Sequence, residues 1–113
     1  MDNQIVRLAN SATRMLDFAI KAACTGAASA SVSLDVEWAR NWSVMMAYVL
    51  DLFLHDPRLT DTLRDRLRSH LHAWQQFAET ASKKKCTEWA ASVECLVANK
   101  TELKNVLEDI SRA

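Results

Sequence analysis

The sequence predicts an all-α fold, a single domain of four to five helices, and three observations carry that prediction. Apolar residues recur at three- and four-residue steps through most of the chain, the period of an amphipathic helix. The 113 residues contain one glycine and one proline, too few for the many tight turns of a β fold. Half of them are hydrophobic, which is enough for one core and one domain at this length.

The first helix is predicted over about 3–24. Ile5, Leu8, Ala9, Ala12, Met15, Leu16, Ala19, Ile20 and Ala23 form one stripe. Gly26 is a natural stop in the left-handed cap conformation. Phe18 projects on the opposite side, beside Arg7, Arg14 and Lys21. A single exposed aromatic is ordinary on any surface, but one inside a basic strip is a contact candidate. Residues 26–33, GAASASVS, read as a flexible link.

The second helix is predicted over 34–54, with Ser33 or Asp35 as its cap and Asp35 and Glu37 suited to its positive end. Asp56 followed by Pro57 signals the start of a third helix, over 57–82. Its stripe is Leu59, Leu63, Leu67, Leu71, Trp74, Phe77, Ala78 and Ala81; its other face alternates acids and bases like a solvated surface. Lys83-Lys84-Lys85 suits the C-terminal end of that helix. A fourth helix, 85–98, carries Cys86, Trp89, Ala90, Val93, Leu96 and Val97 on one face. Asn99 and Thr101 are both cap candidates for the fifth, 101–112, and Glu102 sits three after Asn99 as in a capping box. Leu103, Val106, Leu107 and Ile110 face inward there.

The second helix dominates the chain. In WARNWSVMMAYVLDLFL, at 100° per residue, Trp38, Trp42, Met45, Val49, Leu52 and Phe53 form one face. Ala39, Met46, Leu50 and Leu54 widen it to about 200°, where one core needs roughly 100°. Such a helix has two things to bury against: its own bundle, and a second copy of the chain or another protein. The row Trp38, Trp42, Met46 and Leu50 drifts away from Met45, Val49 and Leu52. It is therefore expected to be the surface the bundle can spare, and the centre of a partner site. Phe18 with Arg14 and Arg7 is the second candidate.

No catalytic constellation stands out. His70 and His72 lie two residues apart, about 200° on a helix, and cannot share one metal ion. His70 falls within the apolar stripe, the place of a buried or half-buried histidine. No phosphate-cradling glycine loop, HExxH or nucleophile elbow is present. Neither an enzyme, a cofactor nor a metal is expected. Cys24, Cys86 and Cys95 are odd in number and lack CxxC spacing, as for reduced cytoplasmic thiols. The polar opening lacks the pattern of a secretory leader, and no run reaches the ~18 apolar residues of a membrane span.

Fourteen basic and fourteen acidic side chains give no net charge, unlike a general polyanion binder. Arg58, Arg64, Arg66 and Arg68 do cluster on the third helix, so a small DNA-binding regulator is the alternative reading. Asp61 and Asp65 sit among them and would repel phosphates. The remaining class is a protein that binds proteins. Four tryptophans and four methionines supply anchors and adaptable apolar surface for it.

The opening MDNQIVRLANSATRMLDFAIKAA and the helix WARNWSVMMAYVLDLFL, with the length and the all-helical pattern, resemble the quorum-sensing antiactivators of Pseudomonas. The resemblance extends over the whole chain. It implies a small cytoplasmic dimer that binds the ligand-binding domain of a LuxR-type transcription factor (LasR-like). By covering the activator's dimerisation surface, such a protein keeps it from DNA. A homodimer is expected independently, because two-fold dimers are the commonest way to cover surface that one small bundle leaves open; either of the first two helices could supply the seam.

Overall fold

In a computed structural model, residues 3–28, 33–82 and 86–112 are described. The Lys83-Lys84-Lys85 join and link residues 29–32 lie outside the described residues, as do the side chains of Ser33, Ala81, Cys86 and Ala90. Five helices follow one another: α1 (Asn3–Ala28), α2 (Ser33–Leu54), α3 (Asp61–Ser82), α4 (Cys86–Ala98) and α5 (Lys100–Arg112). No strand occurs among the described residues. The fold is the expected all-α bundle, 44 Å long and 21 Å across.

Four of the helices bury the stripe their periodicity marks, except that Val97 at the end of the α4 stripe stays exposed. On α1, Ile5, Ala9, Ala12, Leu16, Ala19 and Ala23 are buried; on α3, Leu63, Leu67, Leu71, Trp74 and Phe77; on α5, Leu103, Val106, Leu107 and Ile110. Trp89, Val93 and Leu96 bury one face of α4. The helices α1, α3 and α5 surround this core, with α2 against α1 and α3. Val36 of α2 also reaches Trp89 of α4, and Trp89 is tilted against Phe77 with ring centroids 5.9 Å apart.

Ion pairs tie α5 to its neighbours. The Lys100 ammonium lies 2.9 Å from Asp17 of α1, and Arg66 of α3 lies 2.8 Å from Asp109. The hydrogen bond from Lys100 holds the Asp17 carboxyl below the usual range. These pairs stand at the surface, where solvent screens them. They orient α5, while its buried face holds it down.

Three helix boundaries differ from the sequence reading. α1 does not stop before Gly26 but runs through it to Ala28. Gly26 is buried, and a Cβ placed there would come 2.6 Å from the Ala39 Cβ. Its role is close approach of α1 to α2, not a left-handed turn. α3 starts at Asp61, not Pro57. Asp56 and Pro57 instead build a turn, in which the Asp56 carboxylate accepts from the Arg58 N–H at 2.9 Å and the Leu59 N–H reaches the Asp56 carbonyl. The Arg58 guanidinium holds the Asp56 carboxyl at about 2. Thr60 is the cap: its hydroxyl accepts from the Leu63 N–H at 3.3 Å. Finally, the Asn99 side chain donates back to the Cys95 carbonyl at 2.8 Å. The side chain thus closes the end of α4, while the Asn99 carbonyl accepts from the Leu103 N–H at 3.0 Å and opens α5, which begins at Lys100.

Two outcomes follow. A glycine inside a helix normally gains about 1 kcal/mol when replaced by alanine. Here the added methyl meets Ala39, so Gly26→Ala should instead cost about 1–3 kcal/mol, read as a lower melting temperature. The second concerns His70, which is buried on α3. Desolvation lowers its pKa below 6.5, assisted by Arg66 and opposed by Glu102. The folded chain therefore binds this proton less readily than the unfolded chain. Stability should be full above pH 6.5 and decline as the pH falls below it. Urea titrations on either side of that pH should show a smaller decline for His70→Gln.

Candidate protein-binding site

α2 packs inward with a face that mixes small and large residues. Ala39, Ser43 and Ala47 are buried together with Val36, Met46, Val49, Leu50 and Phe53. The Ser43 hydroxyl is satisfied within its own helix, donating to the Ala39 carbonyl at 2.7 Å. This sets the rotation of α2, and it corrects the sequence reading at two candidate site residues. Met46 and Leu50 are both 0 % exposed. They belong to the core and are not surface the bundle can spare. Met45 and Leu52, read from the sequence as core-facing, point outward instead. The physical reason is the close approach at Gly26: Ala39 must face α1 there, and that rotation turns Met46 and Leu50 into the core and leaves Met45 and Leu52 outside.

The outward face of α2 holds Leu34, Trp38, Val44, Met45, Tyr48 and Leu52, all exposed. Tyr48 is 63 % and Leu34 80 % accessible. The charged residues beside them lie along one rim: Arg40 pairs with Glu37 at 2.7 Å, and Asp51 with His55 at 3.5 Å. Isolated exposed apolar residues need no explanation, but a contiguous face of them marks an interaction surface.

At the α1–α2 boundary the second candidate site joins the first. Phe18 of α1 stacks on Trp42 of α2, with ring centroids 5.8 Å apart and planes at 19°. Trp42 is half-buried and packs against the core, whereas Phe18 stays 56 % exposed. Trp38 stands one helical turn before Trp42 on α2. Arg7, Arg14 and Lys21 are exposed on α1. Asp17, next to Phe18 in the chain, is taken by Lys100 and Lys104. Phe18, Trp42, Trp38 and Arg14 thus share one neighbourhood, and the sequence reading had treated them as two.

The arginines of α3 and its preceding turn are engaged within the chain. Arg58 binds Asp56 at 2.7 Å; Arg66 binds Asp109, whose hydrogen bond raises the Arg66 pKa; Arg68 binds Asp65 at 2.8 Å. Arg64 donates to the carbonyls of Leu54 (3.2 Å) and Asp56 (2.6 Å), closing the α2–α3 turn. A row of cations held by carboxylates is poorly placed to take up phosphates.

Among the described residues no group of His, Cys, Asp and Glu could hold a metal ion, and no helix is long and apolar enough to cross a membrane. Cys24 and Cys95 are free thiols on the surface. Comparison of the chain with family models, curated proteins and solved structures gave no match.

The sequence reading missed Leu34, Val44 and Tyr48. The available signal was the complement of the small residues: with Ala39, Ser43 and Ala47 placed inside, the opposite face contains these three. Adjacent methionines test the rotation. Met46→Ala should lower unfolding free energy by about 2–5 kcal/mol, and Met45→Ala should stay within about 0.5 kcal/mol of the parent, both measured by urea unfolding. Equal losses would place α2 in a different rotation.

Proposed function

We propose that this chain is a cytoplasmic protein-binding antiactivator, a homodimer that sequesters a LuxR-type transcription factor by occupying its ligand-binding domain. One observation supports it above the others: six large apolar side chains stand exposed on the outward face of α2. Surface of that kind serves association between proteins. Preventing an activator from dimerising requires binding energy alone, with no acid, base, nucleophile or metal. The resemblance of the opening segment and of α2 to the quorum-sensing antiactivators supplies the class of partner.

The site for the activator is the aromatic ridge of Phe18, Trp42 and Trp38, with Arg14 beside it. Aromatic and arginine side chains are the commonest anchors of protein interfaces. Phe18 can lose its ring at little cost to the fold, because more than half of it is exposed. Met46 and Leu50 support the ridge from within the core. The chain does not act as a DNA-binding regulator in this reading, since the arginines of α3 are held by neighbouring acids.

Calorimetric titration with a purified LuxR-type ligand-binding domain (LasR-like) tests the proposal. Binding is expected, together with loss of the activator's own dimer in light scattering. Phe18→Ala should weaken binding by about tenfold or more, with a melting temperature close to the parent's. No binding, or retention of DNA by the chain alone at low salt that weakens steeply as salt is added, would overturn it.

A further inference from the structure

We propose that the exposed line of α1 through Arg7, Arg14, Phe18 and Lys21 docks an acidic amphipathic helix of the protein partner, a helix with carboxylates seven residues apart and an apolar residue between them. The inference rests on the protein-binding reading above and names the chemistry of the partner's surface.

Charge is the first ground. The chain as a whole carries no net charge, yet this line of α1 is basic and unanswered. Arg7, Arg14 and Lys21 are exposed, and among the described residues none of the three has an ion-pair partner. By contrast, Arg40, Arg58, Arg64, Arg66 and Arg68 each hold a carboxylate of their own chain. Asp17 is the one acid of α1. Lys100 and Lys104 engage it at 2.9 and 3.7 Å, so it is turned toward α5 and does not neutralise Arg14. Carboxylates from outside the chain are what this line lacks.

Spacing selects the shape of the occupant. Arg7, Arg14 and Lys21 recur every seven residues. Seven residues of helix span about 10.5 Å and drift about 20° round the axis. The three cations therefore follow one line about 21 Å long. A second helix laid along it has the same repeat, so its own residues at seven-residue intervals stay level with all three. Charges at about 0.1 M salt are screened over about 10 Å, so each cation acts on the carboxylate beside it. An extended segment fits poorly. It rises about 3.3 Å per residue and alternates faces, so it would meet a cation at about every third residue and point successive carboxylates to opposite sides.

Phe18 supplies the apolar contact. It stands four residues after Arg14 and three before Lys21, with more than half of it exposed. Trp42 stacks behind it at 5.8 Å, which holds the ring in place. Ser11, small and exposed, takes the corresponding place between Arg7 and Arg14. One interval of the partner helix thus carries an apolar anchor and the other needs none. A single-stranded nucleic acid also presents anions, but it binds by stacking successive bases on several aromatic faces. This line has one ring, with one face already covered.

The probe is an alanine-based helical peptide without tryptophan, carrying glutamate at every seventh residue and leucine between. Its control has glutamine for glutamate. Each is titrated into the full chain and read by tryptophan emission, since Trp42 lies against Phe18. The acidic peptide should bind saturably and the control should not. Raising the ionic strength from about 0.01 to about 0.1 M shortens the screening length from about 30 to about 10 Å, and binding should weaken about fivefold or more. Arg14→Glu, and separately Arg7→Glu combined with Lys21→Glu, should each weaken it about fivefold or more. All three side chains are exposed, so circular dichroism should be unchanged. Arg68→Glu makes the same change of charge on α3 and should bind as the parent does.

No binding of the acidic peptide, equal binding of the control, or full affinity in the reversed variants would overturn the inference. Tighter binding of a thymidine oligonucleotide than of the peptide, lost in the same variants, would give the line to a nucleic acid and overturn it as well. The same variants titrated with the LuxR-type ligand-binding domain separate the inference from the reading beneath it. If the domain binds the parent and every variant alike, the antiactivator reading stands and the inference falls. If the acidic peptide behaves as expected and the domain does not bind, the acidic-helix site stands and the domain is not its partner.

Discussion

The close approach of α1 and α2 at Gly26 is the contact on which the arrangement turns. A Cβ at that position would stand 2.6 Å from Ala39, a distance that two carbons do not adopt without a backbone shift. With Gly26 in place, α2 comes near enough that the residue facing it must be as small as Ala39. Ala39, Ser43 and Ala47 fit there, and the Ser43 hydroxyl would be a buried polar group without its bond to the Ala39 carbonyl. Dispersion contacts at short range then compensate for the modest size of the residues involved. Everything outward on α2 follows from this rotation.

Charge plays a different part from apolar burial. Asp17 with Lys100, and Arg66 with Asp109, link α5 to α1 and α3 across the surface. Such solvated pairs add little free energy, yet they fix which way α5 lies on the bundle. They also occupy cations that would otherwise form a basic face. Arg64 has a structural task of another kind. Its guanidinium donates to the Leu54 carbonyl, a group at the end of α2 that the helix itself cannot satisfy, and to the Asp56 carbonyl of the turn that follows. The cluster of arginines visible in the sequence is thus spent on turns and helix contacts.

The fold class and the inward stripes of α1, α3 and α5 were legible because each of these helices is amphipathic, with one apolar side and one charged side. The boundaries were less so. Asp56-Pro57 carries the composition of a helix start, but the same residues make an Asx-type turn, and Thr60 takes the cap. Gly26 carries the composition of a helix stop, and only a neighbouring chain segment reveals that it is a contact residue. The rotation of α2 was the largest miss. A helix apolar nearly all round has a weak directional signal, so size biased the reading of its core face toward Met45 and Leu52. What decided the matter was the space left by α1, which lies 13 residues away in sequence at Gly26–Ala39. For the same reason Phe18 and Trp42 could be singled out separately but not as a stacked pair.

The division of α2 into a buried face and an exposed one has a consequence for how the protein can change. The inner residues have almost no freedom to grow: a methyl at Gly26, or a larger side chain at Ala39, meets its neighbour at once. The outer residues carry little of the fold, and replacing one there alters surface more than core. Folding and recognition are thereby assigned to opposite sides of a single helix. Sequence drift can rewrite the surface that a partner meets while the packing beneath it stays the same.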